Sequence, residues 1–167
     1  DPEKFTIAVM GSSQGARKIN YLIPRLAESF RDSVNILHIV GERDQNAVKS
    51  KHAKSGLSNY RVFSYVDDPS AIYAASDIMI SRSGAGAVAE ASACGLPAVF
   101  IPYPYAADDH QKANADYYAR KGAAMLLEES QLSGQSLYSI IQTFISTPQL
   151  LDDMRGKMRN LGHRDSA

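Results

Sequence analysis

The sequence has a single cysteine, Cys94, among its 167 residues. An intramolecular disulfide framework and a zinc site built wholly from cysteines are therefore excluded. A reducing compartment is the expectation. No apolar run approaches the ~20 residues that a membrane-spanning helix needs. The opening Asp1-Pro2-Glu3-Lys4 has no basic stretch followed by an apolar one, so it does not read as a secretion signal. It also lacks an initiator Met, which suggests an excised or processed chain. Charge of one sign is lacking too, because 18 Lys and Arg balance 18 Asp and Glu. Without a bulk basic field, no nucleic-acid partner is expected. No two histidines have metal-ligand spacing, so neither a metal nor a cofactor is expected. Cys94 falls near the end of an Ala-rich helical stretch, where the helix dipole disfavours a thiolate.

What is present is an alternation. Strand-length apolar runs cover Phe5–Met10, Val34–Val40, Tyr60–Ser64, Asp77–Ser81, Ala98–Ile101 and, more weakly, Ala123–Leu127. Runs of this kind are apolar on both faces, as in parallel sheets covered by helices. Between them lie helical patterns. Ile19, Leu22, Ile23, Leu26 and Phe30 keep helical spacing, with Pro24 implying a kink or a late start. Asp44 to about Ser55 is polar and helical by default. Ala85–Cys94 is rich in good helix formers and stops at Gly95-Leu96-Pro97. Asp109–Lys121 ends at Gly122. Another helix follows Gly134, and Thr147-Pro148 reads as a cap with Pro at the first helical position. Leu151, Met154, Met158 and Leu161 form one apolar stripe. Asn160–Ala167 is polar without a clear cap, so a continuation is expected. The order indicates one α/β domain over residues 1–167: a doubly wound, Rossmann-like parallel sheet of about six strands with helices on both faces.

Ligands of such sheets bind beyond the C-terminal strand ends, at the switch point of the strand order. Three loops fall there. Gly11-Ser12-Ser13-Gln14-Gly15-Ala16-Arg17 joins a strand to a helix. It is either a close-approach phosphate turn or a tight turn with no ligand. It is not a P-loop, since no Gly-Lys-Ser/Thr follows, nor the dinucleotide Gly-x-Gly-x-x-Gly. In Ser81-Arg82-Ser83-Gly84-Ala85-Gly86, Ser83 is a plausible N-cap, and the helix start offers backbone donors to a diphosphate. Glu90 lies one turn beyond Gly86 on the same face. Its carboxylate can accept both hydrogen bonds of a ribose diol, or it is a solvated helix residue. Small and apolar neighbours suggest a mostly buried helix. The third loop, Pro102 to Asn114, brings His110, Gln111 and Asn114 to a helix start. They read as sugar contacts or simply as a polar helix N-terminus. His38 sits centrally in an apolar strand, as a satisfied core residue.

The three loops together resemble one family. They keep order and spacing with the C-terminal half of the MurG family, bacterial UDP-N-acetylglucosamine transferases of peptidoglycan lipid II synthesis. The matching stretches are Gly11–Arg17 with Asn20, Tyr65-Val66-Asp67-Asp68, Ser76-Asp77 and Arg82–Ala85 through Glu90. Gly95–Ala98, Pro102-Tyr103-Pro104, Asp109-His110-Gln111 and Asn114-Ala115 complete the set. The resemblance implies a GT-B glycosyltransferase and the half that binds UDP-GlcNAc. It implies Glu90 on the ribose diol, with Ser13 of the first loop and Ser83, Gly84 and Ala85 at the diphosphate, and Gln14 as a further substrate-binding residue. Val66 backbone groups would pair with uracil, and Gln111 with His110 would face GlcNAc. It further implies transfer to lipid I with inversion, at the cytoplasmic face of the bacterial membrane. The N-terminal domain that takes the acceptor is absent from this chain, which alone should bind and not transfer. Alternatives on the same fold are the donor-binding subunit of the dolichol-linked GlcNAc transferase, a non-catalytic nucleotide-sugar sensor and a UDP-sugar 2-epimerase.

Overall fold

The computed structural model describes residues 3–11, 16–31, 33–106 and 110–165. Six short strands are β1 (Phe5–Met10), β2 (Val34–Ile39), β3 (Tyr60–Phe63), β4 (Ile78–Ser81), β5 (Ala98–Phe100) and β6 (Ala124–Leu126). All pair in parallel, in the order β3-β2-β1-β4-β5-β6. The direction of winding reverses between β1 and β4, which places the switch point there. Register follows the apolar pattern: Ile7 sits opposite Ile36 on one side and Ile78 on the other.

The helices are α1 (Arg17–Ser29), α2 (Gln45–Ser55), α3 (Ser70–Ala74), α4 (Ala85–Cys94), α5 (His110–Arg120), α6 (Gly134–Ser146) and α7 (Pro148–Asp165). α1 starts at Arg17, which removes the late-start alternative; Pro24 lies buried inside it. Gly95 adopts a left-handed conformation at the end of α4, the stop expected there. α7 runs through to Asp165, so residues 160–165 of the polar last segment are helix.

Two cores result, one on each face of the sheet. The first joins Ile7, Val9, Ile36 and Ile80 to Ile19, Ile23 and Leu26 of α1 and to Leu137, Ile141 and Phe144 of α6. The second joins Ala8, Met79 and Phe100 to Val88 and Ala91 of α4 and Tyr118 of α5. The stripe on α7 divides between them: Leu151 and Met154 enter the first, Met158 and Leu161 the second. Burying one leucine-sized side chain contributes roughly 1.5–3 kcal/mol before entropy. α7 therefore ties the two layers together.

Candidate functional site

At the C-terminal edge, Gly11 after β1 lies against the end of β2. The Gly11 amide donates to the Ile39 carbonyl at 2.6 Å. A Cβ on Gly11 would stand 2.5 Å from the Val40 carbonyl and 2.8 Å from Asn20 Oδ1, so only glycine fits. The β2–α2 turn then forms a wall between two clefts. The first cleft, about 640 Å³, is lined by Gly11, Gly41, Arg43, Tyr65, Val66 and Glu90. The second, about 840 Å³, is lined by Arg17, Tyr21, Arg43, Arg82, Tyr103 and Glu129 among others.

Glu90 projects into the first cleft from α4 and is exposed. That corrects the expectation of a mostly buried helix, because only Val88, Ala91 and Ser92 of α4 are buried. The carboxylate is nevertheless held. The Tyr73 hydroxyl donates to Glu90 Oε2, so the carboxylate is braced at one oxygen. Burial, then the neighbouring Glu90 charge, push the Tyr73 phenol above its ordinary range. Tyr73 thus stays a neutral donor. Sequence reasoning missed it, because it lies 17 residues away on α3. Val66 is half-buried and packs on the second core.

The start of α4 differs from expectation. Gly84, and not Ser83, occupies the N-cap position, in extended conformation and with no side-chain cap among the described residues. Ser83 is fully buried and its hydroxyl donates to the Gln111 carbonyl at 2.7 Å. Asn114 Nδ2 donates to the Ser83 carbonyl at 3.0 Å. Ser83 therefore joins α4 to α5. Among the described residues no side chain caps this first turn, and its backbone N–H groups stand at the positive helix end, an arrangement chemically able to take an anion. Ala85 and Gly86 are exposed there. Among the described residues, a Cβ on Gly84 or Gly86 would meet nothing within 4 Å.

Gln111 is only partly available. Its Oε1 accepts the Tyr103 amide at 3.0 Å, which fixes the β5–α5 loop. His110 is exposed at the first position of α5. Ser13 and Gln14 lie outside the described residues.

In the second cleft, Arg82 is only 4% exposed. Its Nη1 lies 3.1 and 3.2 Å from the Ile101 and Pro102 carbonyls and 2.5 Å from Glu129 Oε2, so its two protons are shared among three acceptors. The guanidinium also stands over the Tyr103 ring. A buried cation is tolerable only with such partners. Glu129 carried no signal in the sequence.

Gly11-Ser12-Ser13-Gln14-Gly15 also spells the Gly-x-Ser-x-Gly of nucleophile elbows. That chemistry needs an adjacent general base, most often a histidine. His38, opposite Val9 on the neighbouring strand, is buried and committed to Tyr60 and Asn20. The Cys94 thiol is pushed up by burial and by Glu90, away from thiolate character. Among the described residues, no three His, Cys, Asp or Glu side chains could hold a metal ion. No helix among them is long and apolar enough to cross a membrane.

Residues 6–167 match the glycosyltransferase family 28 C-terminal domain. The chain belongs to that family. Two curated relatives are both named UDP-N-acetylglucosamine--N-acetylmuramyl-(pentapeptide) pyrophosphoryl-undecaprenol N-acetylglucosamine transferase. The one from Syntrophus aciditrophicus (strain SB) is 39% identical over 165 residues, covering 96% of this chain and 45% of the relative. The one from Geobacter sp. (strain M21) is 37% identical over 169 residues, covering 99% and 45%. The family 28 domain thus spans about half the length of the curated relatives it matches. Among solved structures, Acinetobacter baumannii MurG superposes with a TM-score of 0.83 at 32% identity, over 95% of this chain and 46% of that one. The calicheamicin glycosyltransferase CalG4 superposes at 0.74 with 19% identity, over 95% and 39%, a likeness of fold alone.

Proposed function

We propose that this family 28 domain binds UDP-GlcNAc, with the ribose diol at Glu90 and the diphosphate over the first turn of α4. The observation that carries the reading is the pairing, on one helix, of an uncapped exposed start with a carboxylate braced by Tyr73. Ala85 and Glu90 are five residues apart, about 7.5 Å along a helix axis, the scale of a ribose and its phosphate linkage. The braced carboxylate keeps Oε1 for the diol. Val66 backbone groups in the same cleft take the uracil edge. Gln111, with Oε1 already occupied, offers its amide N–H groups to a sugar hydroxyl, beside His110. The family resemblance assigns Ser13 to the diphosphate and Gln14 to donor binding.

In the full enzyme an acceptor domain precedes this one and presents lipid I at the cytoplasmic face of the bacterial membrane. GlcNAc then passes to the acceptor hydroxyl with inversion, forming lipid II and releasing UDP. The role of this half is electrostatic. Preorganised N–H groups at the α4 start stabilise the charge that builds on the departing diphosphate. The names and lengths of the relatives support this assignment. The chain alone binds the donor without transferring it.

Calorimetry of the chain against UDP-GlcNAc, UDP, UDP-glucose and GDP-mannose tests the reading. The uridine ligands bind and GDP-mannose does not. Glu90→Ala weakens UDP by about 1.5–3 kcal/mol, the range for a hydrogen bond to a charged group. Tyr73→Phe, which unbraces the carboxylate, gives a smaller loss of the same kind. Unchanged UDP affinity in Glu90→Ala would sink the ribose assignment.

A further inference from the structure

Below the wall between the two clefts runs a buried polar chain that the donor reading does not use. Tyr60 on β3, His38 on β2 and Asn20 on α1 are each at most 1% exposed. Tyr60 Oη lies 2.8 Å from His38 Nδ1, and His38 Nε2 lies 3.0 Å from Asn20 Oδ1. Asn20 Nδ2 donates to the Val40 carbonyl at 3.0 Å and to Asp44 Oδ2 at 2.9 Å.

The direction of every proton follows from the far end. A carbonyl and a carboxylate only accept, so Asn20 Nδ2 gives both its protons to the turn. Its Oδ1 then only accepts, so His38 Nε2 carries the ring proton. Nδ1 of the neutral ring accepts, so Tyr60 Oη donates. Burial holds His38 neutral, with its pKa lowered to about 3. All donors therefore point from the sheet toward the 40–44 turn. The groups at that end belong to cleft wall and not to core. Gly41 and Arg43 line both clefts, and Gly11 rests against Asn20 Oδ1 and the Val40 carbonyl.

We infer that Asn20 is a positioning residue for the nucleotide: oriented by Tyr60 and His38, it holds Gly11 and the 40–44 turn in the shape that admits the ligand. This rests on the placement of UDP at Glu90 and goes beyond it by assigning a role to residues that do not touch the ligand.

The test is the variant Asn20→Asp in this chain, with UDP as the probe. It keeps the side-chain shape and turns the two donors into an acceptor facing the Val40 carbonyl and the Asp44 carboxylate. UDP affinity is expected to fall roughly tenfold, two ordinary hydrogen bonds partly compensated. Adding Asp44→Asn in that background puts a donor back opposite the new carboxylate. Most of the lost affinity should then return. A residue with only a structural role would change the melting temperature and leave UDP affinity, and its rescue, unmoved. If Asn20→Asp does not fold, Asn20→Ala removes both donors without adding charge, and the same tenfold loss is expected. Equal UDP affinity in the parent and in the folded Asn20 variant overturns the positioning role alone, provided that Glu90→Ala weakens UDP. A parent that binds no UDP, or binds it independently of Glu90, overturns the site reading and this inference with it.

Discussion

Acidification from pH 7 to pH 5 is expected to cost the fold about 2 kcal/mol through His38 alone. The ring is fully buried, and burial lowers its pKa to about 3. In the unfolded chain it titrates near the ordinary value of about 6.5. Between those two values the unfolded chain holds a proton that the folded chain refuses. Stability therefore falls as pH falls from about 6.5 toward about 3, and is fully present above that window. The ring cannot evade this by taking the proton in place. A second N–H would face Tyr60 Oη, whose own proton already points at Nδ1 and would have to turn away. The other histidines and the carboxylates also titrate, so the measurement is a difference. Urea denaturation at pH 7 and pH 5, in the parent and in His38→Gln, gives two stability changes. The parent should lose about 2 kcal/mol more than the variant over this interval. Equal losses would mean that the ring is protonated inside the fold or already neutral outside it, and the proton directions drawn through Asn20 would fail.

Two further outcomes follow from the site. Gly84→Val should abolish UDP binding measured by calorimetry while leaving the melting temperature nearly unchanged, because a Cβ there meets no atom of the described residues within 4 Å and the ligand's approach is blocked; retained binding would move the diphosphate elsewhere. Gln111→Ala should weaken UDP-GlcNAc by roughly 0.5–1.5 kcal/mol and narrow its preference over UDP-GalNAc, with a lower melting temperature as well, since the Tyr103 amide loses its acceptor; an equal loss for UDP would assign Gln111 to the loop and not to the sugar.

The strands were legible because a parallel sheet buried on both faces writes continuous apolar runs. Their ends were read slightly too long for a physical reason. The Val40 amide still donates to the Phe63 carbonyl at 2.9 Å, so the apolar run outlasts the regular ladder. α3 left no periodic mark, since five residues with two buried side chains span little more than one turn. The cap of α6 was unreadable for a different reason: Ser133 and Ser136 close a capping box in which serine stands where Glu or Gln is the usual signal. At the site, Glu90 stood out as a charge among small residues. Its partner Tyr73 did not, because tertiary packing alone brings the two together. Ser83 looked like a cap because serine at a helix start usually is one. An acceptor 28 residues onward, the Gln111 carbonyl, takes its hydroxyl instead. Arg82 and Glu129 meet across 47 residues, a separation at which no local pattern speaks.

The crossing of α7 from one core to the other has a consequence for how the domain comes into being on the ribosome. Chain order places this helix after every strand, yet each face of the sheet needs part of it to close: Leu151 and Met154 on one side, Met158 and Leu161 on the other. Until those residues have left the exit tunnel, both layers hold unsealed apolar surface, and neither can finish independently of the other. A nascent chain paused before Pro148 is thus sticky on two faces at once, the state that chaperones bind and that aggregates when they do not. Once α7 docks, the same geometry works in reverse. Peeling it away opens both layers together, so the domain is expected to lose its structure in one cooperative step and not face by face.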